Sequence, residues 1–372
     1  MNASPEGPPN YWDYLNLDKL LSLQGGLEGD DRKLAPDELH FIVVHQVFEL
    51  WFKLVINELK LARDHLAAPH IPEERIPYVV HHLRRVNEIM RHCVGQFAIM
   101  ETLTPQDFLA FRDKLMPASG FQSYQMREIE ILLGLEDAQR TTEMGVNPLA
   151  ALERQAKQSP RAQLGLDRID AARASVPLRR ALHNWLYRTP IQGSQPEDPG
   201  DQVIVDRFVS SYLKAMQAHQ TAGHETQQKV IPDLDLDDAK KRLSGQIAQA
   251  WDFLHAADVG SDQRPRVKRI RAALIFIESY RMLPLLAWPR LLIDAVVETE
   301  EQFVLFRTRH ARMVERVIGR RVGTGGSSGV DYLDATTKYR VFRELWTVRT
   351  ILLPKRAVPP LEHAERYGFA GV

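Results

Sequence analysis

The sequence predicts an all-α protein. Apolar residues recur at the three- and four-residue spacing of a helix face in almost every long segment. Strict alternation of apolar and polar residues bounded by turn residues, the mark of a half-buried strand, is hard to find. Helix punctuation is also clear. In Thr104-Pro105-Gln106-Asp107, threonine suits the N-cap, proline the first helical position and aspartate the positive end of the helix dipole.

The elements follow in order. Residues 1–9 read as a flexible tail, after which "NYWDYLNLDKLLSLQ" opens an amphipathic helix carrying Tyr11 and Tyr14. A long helix is expected from about Asp37 to Leu66. Phe41, His45, Phe48 and Phe52 form one stripe on it, and Val44, Trp51, Val55 and Leu59 lie beside them. Its first half is therefore apolar nearly all round and belongs at the centre of the fold.

A further helix spans about Pro77 to Met100, with Val86, Ile89, Met90, Cys93, Val94 and Phe97 along it. The helix begun at Thr104 holds Phe108, Phe111 and Arg112 before "MPASG" stops it, and another runs from Gln122 to about Leu135. Residues 137–260 form a less regular, variable helical middle. Helices are expected there over 167–187, 202–229 and 237–257, the first two separated by the loop "TPIQGSQPEDPGDQ". Helices over 265–286 and 288–318 then precede the glycine-rich "GTGGSSG" at 323–329, and a last helix is expected over 331–353. Residues 359–372 read as a second flexible tail. The whole chain, 1–372, reads as one domain without an internal repeat.

Composition narrows the function classes. At 372 residues, 44% hydrophobic and 26% charged, the chain can bury a large core. Its 48 basic residues balance 48 acidic ones, so there is no electrostatic reason to expect nucleic acid or an anionic membrane as partner. The single cysteine, Cys93, excludes an intramolecular disulfide framework and any multi-cysteine metal site. No basic-then-apolar leader opens the sequence, and no apolar run approaches the roughly 18 to 20 residues of a membrane span. A soluble, cytoplasmic protein is expected.

The glycine-rich segment looks at first like a phosphate loop. A Walker loop needs GxxxxGK[ST] after a strand, whereas here there is no lysine and a helix comes first. Two readings remain. One is a plain helix-to-helix turn in which Gly323, Gly325, Gly326 and Gly329 permit positive φ. The other adds a nest of backbone N–H groups, with the hydroxyls of Thr324, Ser327 and Ser328, for a small anion or polar head group.

Thirteen histidines make histidine the natural metal-ligand candidate, but no HExxH occurs. His219 and His224 are five apart and off a common helical face, and His81 and His82 diverge. His45 lies on the apolar stripe of the central helix, either as a buried histidine bonded to a backbone carbonyl or as a site residue. His310 lies among Arg307, Arg309, Arg312 and Arg316. Positive neighbours keep an imidazole neutral, as a metal requires. The alternative is a surface histidine on a solvated basic face, and the same arginines suit the propionates of a haem. Phe108 and Arg112, four apart, share a face. They suit a ligand with a ring and a carboxylate, or simply a snorkelling arginine.

Taken together, "YWDYLNLDKLLSLQ" (11–24), "DELHFIVVHQVFELWFKL" (37–54), "QFAIMETLTPQDFLAFRDKLMPASGFQSYQMREIE" (96–130) and "RTRHARMVERVIGRRVGTGGSSGVDYL" (307–333) resemble the tryptophan 2,3-dioxygenase family, haem enzymes of tryptophan breakdown. The resemblance implies an all-α haem-containing bundle, haem b with ferrous iron in the active form, and a homotetramer with the N-terminal helix exchanged between subunits. His310 matches the proximal haem-iron ligand and His45 the distal histidine near the indole N–H. Phe41 and Phe108 match the aromatic walls of the substrate pocket, and Arg112 the arginine that binds the amino acid's carboxylate. Thr324 matches the loop threonine at the ammonium and carboxylate end, with Gly323, Gly325 and Gly326 around it at the cofactor. Tyr11 and Tyr14 match tyrosines that reach into a neighbouring subunit's pocket.

The implied activity is insertion of both atoms of O₂ across the indole C2–C3 bond of L-tryptophan, giving N-formylkynurenine. Two alternatives share the scaffold: a haem monooxygenase of an indole or other aromatic derivative, and a haem-binding helical protein without catalysis. The chain departs from the family in lacking a histidine in "KLAP" before Asp37 and in having Phe306 where tryptophan is often found. Neither departure touches a matched ligand or carboxylate anchor.

Overall fold

The computed structural model describes residues 8, 10–116, 118–140, 148–157, 159–231, 235–324 and 329–368. Its helices are α1 (Tyr11–Leu15), α2 (Leu17–Leu20), α3 (Glu38–Ala67), α4 (Ile76–Met100), α5 (Pro105–Phe111), α6 (Tyr124–Leu133), α7 (Pro148–Ala156) and α8 (Pro160–Ala174). They continue with α9 (Leu178–Arg188), α10 (Asp201–Val230), α11 (Leu236–Leu254), α12 (Arg264–Ser279), α13 (Ala287–Ile318), α14 (Val330–Thr336) and α15 (Arg343–Thr350). Among the described residues the only β-pairing is an isolated bridge between Ile191 and Ser194, so the fold is all-α.

α4 packs most heavily against α13 and α3, and α3 also packs on α6 and α9. The apolar stripes read from the sequence are the ones that turn inward. Val55, Ile56, Leu59 and Ala62 of α3 meet Val79, Val80, Leu83, Val86 and Met90 of α4, all nearly free of solvent. Truncating one such leucine to alanine costs about 2 to 5 kcal/mol, so the packed α3–α4–α13 unit is a stiff frame for whatever it carries. Polar ties fix its register: the buried Gln96 amide donates to the Val44 carbonyl at 3.2 Å, and Asn87 donates to the Ala295 carbonyl at 3.1 Å. Among the described residues α3 is the one helix long and apolar enough to cross a membrane, a property the sequence reading did not assign to it. Only part of that apolar surface is in the core: Val44, Phe48 and Phe52 are buried, whereas Leu39, Val43, Leu50 and Leu54 are exposed.

Three expected helices are broken. The N-terminal helix is divided at Asn16, which adopts left-handed backbone (φ 51°). The helix expected over 167–187 is split into α8 and α9 at Ser175-Val176-Pro177, because a residue before proline is pushed away from the helical region. The helix expected over 331–353 becomes α14 and α15. The cause is tertiary: the buried Glu300 carboxylate accepts the backbone N–H groups of Val341 and Phe342 and the indole N–H of Trp346. Residues 359–368, expected as free tail, are instead packed. The Tyr280 hydroxyl donates to Pro359, and Tyr367, 5% exposed, stacks near Phe276 and receives the Gly193 N–H.

Candidate active site

A cavity of about 260 Å³ lies between α3, α4, α6, α13 and α14, far more than one water fills, so it is a ligand site rather than a packing defect. The sequence placed Phe41 and His45 one turn apart near the start of α3, and both line it. The Phe41 and His45 rings are 4.1 Å apart, and Phe41 lies 5.8 Å from Phe108 and 5.6 Å from Phe111. Phe108 comes from α5, whose start is as read: the Thr104 hydroxyl receives the Asp107 N–H at 3.2 Å. A cation then ties the turn after α5 to the start of α3. The Lys114 ammonium donates to Glu28 at 3.1 Å and to the buried Glu38 at 3.2 Å. Arg112 is thereby held over the pocket mouth.

His310 lines the opposite wall on α13. Its ring stacks on Phe97 with centroids 5.5 Å apart and planes 11° apart, and Phe306 lies 6.1 Å away. The ring takes no hydrogen bond from the described residues. Burial pushes its pKa down to about 4, with the Arg127 charge working the same way, so it is a neutral imidazole with a lone pair to give. This settles the two readings of His310 in favour of the pocket. Of the four neighbouring arginines only Arg307 lines the cavity. Arg309 pairs with Glu101, and Arg312 with Glu315 and Asp334, on the solvent side.

His45 is also held neutral, chiefly by burial. Its Nδ1 lies 2.7 Å from the Phe41 carbonyl. A carbonyl can only accept, so Nδ1 carries the proton and Nε2 is left as an acceptor. The carbonyl-bonded reading and the site reading thus both hold for one residue, whose ring is open to the cavity rather than shut in the core.

The loop after α13 closes the polar end. The Arg112 guanidinium donates to the Val322 carbonyl at 2.5 Å, and the Thr324 hydroxyl donates to the Ala118 carbonyl at 2.6 Å. The Arg112 Nε, buried, has no partner. Gly323 and Gly329 line the same mouth. Gly329 has φ +65°, and a Cβ there would sit 2.7 Å from the Arg321 carbonyl oxygen, so this position requires glycine. Gly325 and Gly326 lie outside the described residues.

Tyr11 and Tyr14 are not brought to the cavity. They are 76% and 77% exposed in the single chain, and no residue of α1 is buried. Conversely, sequence reasoning missed Glu49, Arg127 and Glu130, which all line the cavity. Glu49 accepts the Gln125 amide at 2.7 Å. Arg127 and Glu130 are three apart on a helix that is otherwise buried, and an ion pair on such a face was the signal available.

Comparison with known proteins gives the family. The family model described as tryptophan 2,3-dioxygenase matches residues 2–352. A tryptophan 2,3-dioxygenase of Sorangium cellulosum is 47% identical over 367 residues, 97% of this chain and 87% of that protein. Tryptophan 2,3-dioxygenase 2 of Ralstonia nicotianae is 45% identical over 371 residues, 98% of each. A tryptophan 2,3-dioxygenase-like protein of Xanthomonas campestris is 46% identical over 271 residues, 72% of this chain and 98% of that protein. The aromatic pocket, its two facing neutral histidines and a match over nearly the full length have one reading: this chain belongs to the tryptophan 2,3-dioxygenase family.

Proposed function

We propose that the chain is a haem-dependent dioxygenase that inserts both atoms of O₂ across the indole C2–C3 bond of L-tryptophan to give N-formylkynurenine. The observation that carries this reading is one cavity lined together by His310, His45, Phe41, Phe108, Arg112 and Thr324. The family is haem-dependent, and the residues here fit a haem. His310 is neutral, half-buried and unclaimed by the described protein groups, and it faces a largely aromatic and aliphatic wall.

Bound ferrous haem would supply the oxygen activation, and the protein supplies orientation and electrostatics. Arg112 pairs with the substrate's carboxylate, for which a guanidinium fork is suited, and Thr324 offers its hydroxyl at the same end. Phe41 and Phe108 fix the plane of the indole. The His45 Nε2 accepts the indole N–H, holding that proton in place without removing it. Tyr11 and Tyr14, with the exposed Trp12, Leu21, Leu23 and Leu27, form an apolar arm that none of the described residues covers. It is suited to complete a neighbouring subunit's pocket in a homotetramer. We place the protein in the cytoplasm.

The test is to load the purified protein with haem, reduce it, and add L-tryptophan and air. N-formylkynurenine with a mass gain of two oxygens supports the dioxygenase. A gain of one oxygen would select a monooxygenase of the same scaffold, and a haem-loaded protein that leaves tryptophan unchanged would select a non-catalytic one.

A further inference from the structure

The root of the N-terminal arm is fastened at two points, and each lies beside a residue of the candidate site. At the first, the Gln46 amide donates to the Leu23 carbonyl at 2.9 Å and accepts from the Gln24 amide at 2.8 Å. Gln46 directly follows His45 on α3. At the second, Glu28 accepts from Lys114, which stands two residues after Arg112 in the tight turn Arg112–Leu115. Between these points the chain folds back on itself. The Asp30 N–H donates to the carbonyl of the buried Gly25 at 3.2 Å, and a Cβ on Gly25 would sit 2.4 Å from the Asp30 nitrogen. Residues 23–30 are thus a built loop rather than a loose lead into the arm.

Lys114 is itself firmly placed. Glu38, 3% exposed, accepts the Ala35 N–H at 2.9 Å, and Lys114 is its one cationic partner among the described residues. Separating that pair would strand a buried carboxylate, which is strongly destabilising, so the ammonium is anchored at the start of α3 and lends a remaining donor to Glu28. The far end of the same turn is gripped too. The Ala118 N–H donates to the Leu115 carbonyl, and the Ala118 carbonyl accepts the Thr324 hydroxyl. Arg112 opens this four-residue turn, so its backbone moves only as the turn moves. Lys114 does not line the cavity, and whatever it does to a ligand it does through Arg112.

We propose that Lys114 is a positioning residue that couples the root of the N-terminal arm to Arg112, so that the seating of the arm sets how well the pocket recognises a carboxylate. This rests on the reading of Arg112 as the carboxylate anchor. A guanidinium fork matches a carboxylate only when both are held in register, and a displacement of about 1 Å at a positioning group can cost on the order of 100-fold. Glu28 and Glu38 hold one ammonium between them, so a shift of the arm root is passed to the turn that carries Arg112.

The experiment measures dissociation constants of L-tryptophan and L-tryptophanamide by titration calorimetry on the haem-loaded, full-length protein without oxygen. Wild type is compared with Arg112→Ala, Lys114→Met, Lys114→Arg and Glu28→Gln. The amide keeps the indole and the ammonium but lacks the carboxylate, so the ratio of the two constants reads the carboxylate contact. Wild type should favour tryptophan by about 10- to 100-fold, and Arg112→Ala should bring the ratio near one. Lys114→Met should lower the ratio by about tenfold, with the amide constant within about twofold of wild type. Glu28→Gln should lower it by about threefold, and Lys114→Arg, which can still reach both carboxylates, should restore most of it. The double variant of Glu28→Gln with Lys114→Met should be no worse than Lys114→Met alone, because both act through one contact.

An equal rise in both constants for Lys114→Met would reduce Lys114 to a structural partner of Glu38 and overturn the proposal. An unchanged ratio in Glu28→Gln would overturn it as well, because the arm root would then have no hold on Arg112. Circular dichroism checks folding, and if Lys114→Met fails to fold, Glu28→Gln decides, since it leaves Glu38 paired. Discrimination that is lost in Arg112→Ala but kept in Lys114→Met rejects the coupling alone. A wild type that does not discriminate, or an Arg112→Ala that discriminates as wild type does, rejects the reading of Arg112 and the coupling with it.

Discussion

The His45 Nδ1 stands 2.7 Å from the Phe41 carbonyl one turn earlier on the same helix, so a single backbone oxygen determines which ring nitrogen faces the pocket. The consequence is a fixed tautomer with Nε2 unprotonated, reinforced by burial that keeps the ring from charging.

If that nitrogen only orients the indole, His45→Ala removes one hydrogen bond worth about 1 kcal/mol, and the substrate KM should rise by roughly fivefold to tenfold with kcat within a few-fold of wild type. Steady-state kinetics measure both. An inert His45→Ala enzyme that still binds tryptophan would assign His45 a proton-transfer role instead.

Arg112 and Thr324 reach in opposite directions across the same gap, Arg112 to the loop at Val322 and Thr324 back to Ala118. Arg112→Ala should weaken tryptophan binding by about 10- to 100-fold, the scale of a lost charge-assisted pair. Thr324→Ala should raise KM by a smaller factor and leave haem retention near wild type, which absorbance of the bound haem would report. Equal losses of haem in both variants would contradict the assignment of these residues to the substrate end.

Glu130 gives a pH signature. Its arginine neighbours hold its pKa down to about 2 against an ordinary value of 4.5, despite burial that works the other way. A carboxyl depressed in the folded state contributes stability that is complete above its unfolded pKa and is lost as pH falls from 4.5 toward 2. The contribution is on the order of 3 kcal/mol. Denaturant unfolding of wild type and Glu130→Gln at pH 7 and pH 3 measures it. The gap between the two proteins should narrow at the lower pH, and a gap that stays constant would show that Glu130 ionisation does not couple to folding.

Much of this was legible in the sequence wherever function sits on a regular helix. The α3 stripe gave Phe41, His45, Phe48 and Phe52 their common side, and the start signal at Thr104 placed Phe108. Spacing alone left His310 undecided, because four arginines surround it and only the fold shows that Arg307 turns inward while Arg309 and Arg312 turn outward. Helix breaks caused by distant groups were not legible either. Nothing near residues 337–342 announces that Glu300 will capture their backbone. The buried charges of α6 were overlooked for a related reason. An arginine and a glutamate three apart read as a surface pair until two further arginines, ten residues along and on another helix, are seen to converge on the same carboxylate.

The Val322 carbonyl gives Arg112 a tenant of its own. A carboxylate that takes the same terminal nitrogen competes with that oxygen, while the Nε edge has no such rival, so part of what is measured as affinity at this end of the pocket is the margin by which the ligand outcompetes a piece of the protein. A neutral indole brings nothing better than the carbonyl it would replace, whereas a carboxylate does. With Arg112 in its proposed role, this internal rival would favour amino acids over simple indoles and would reclaim the arginine when product leaves.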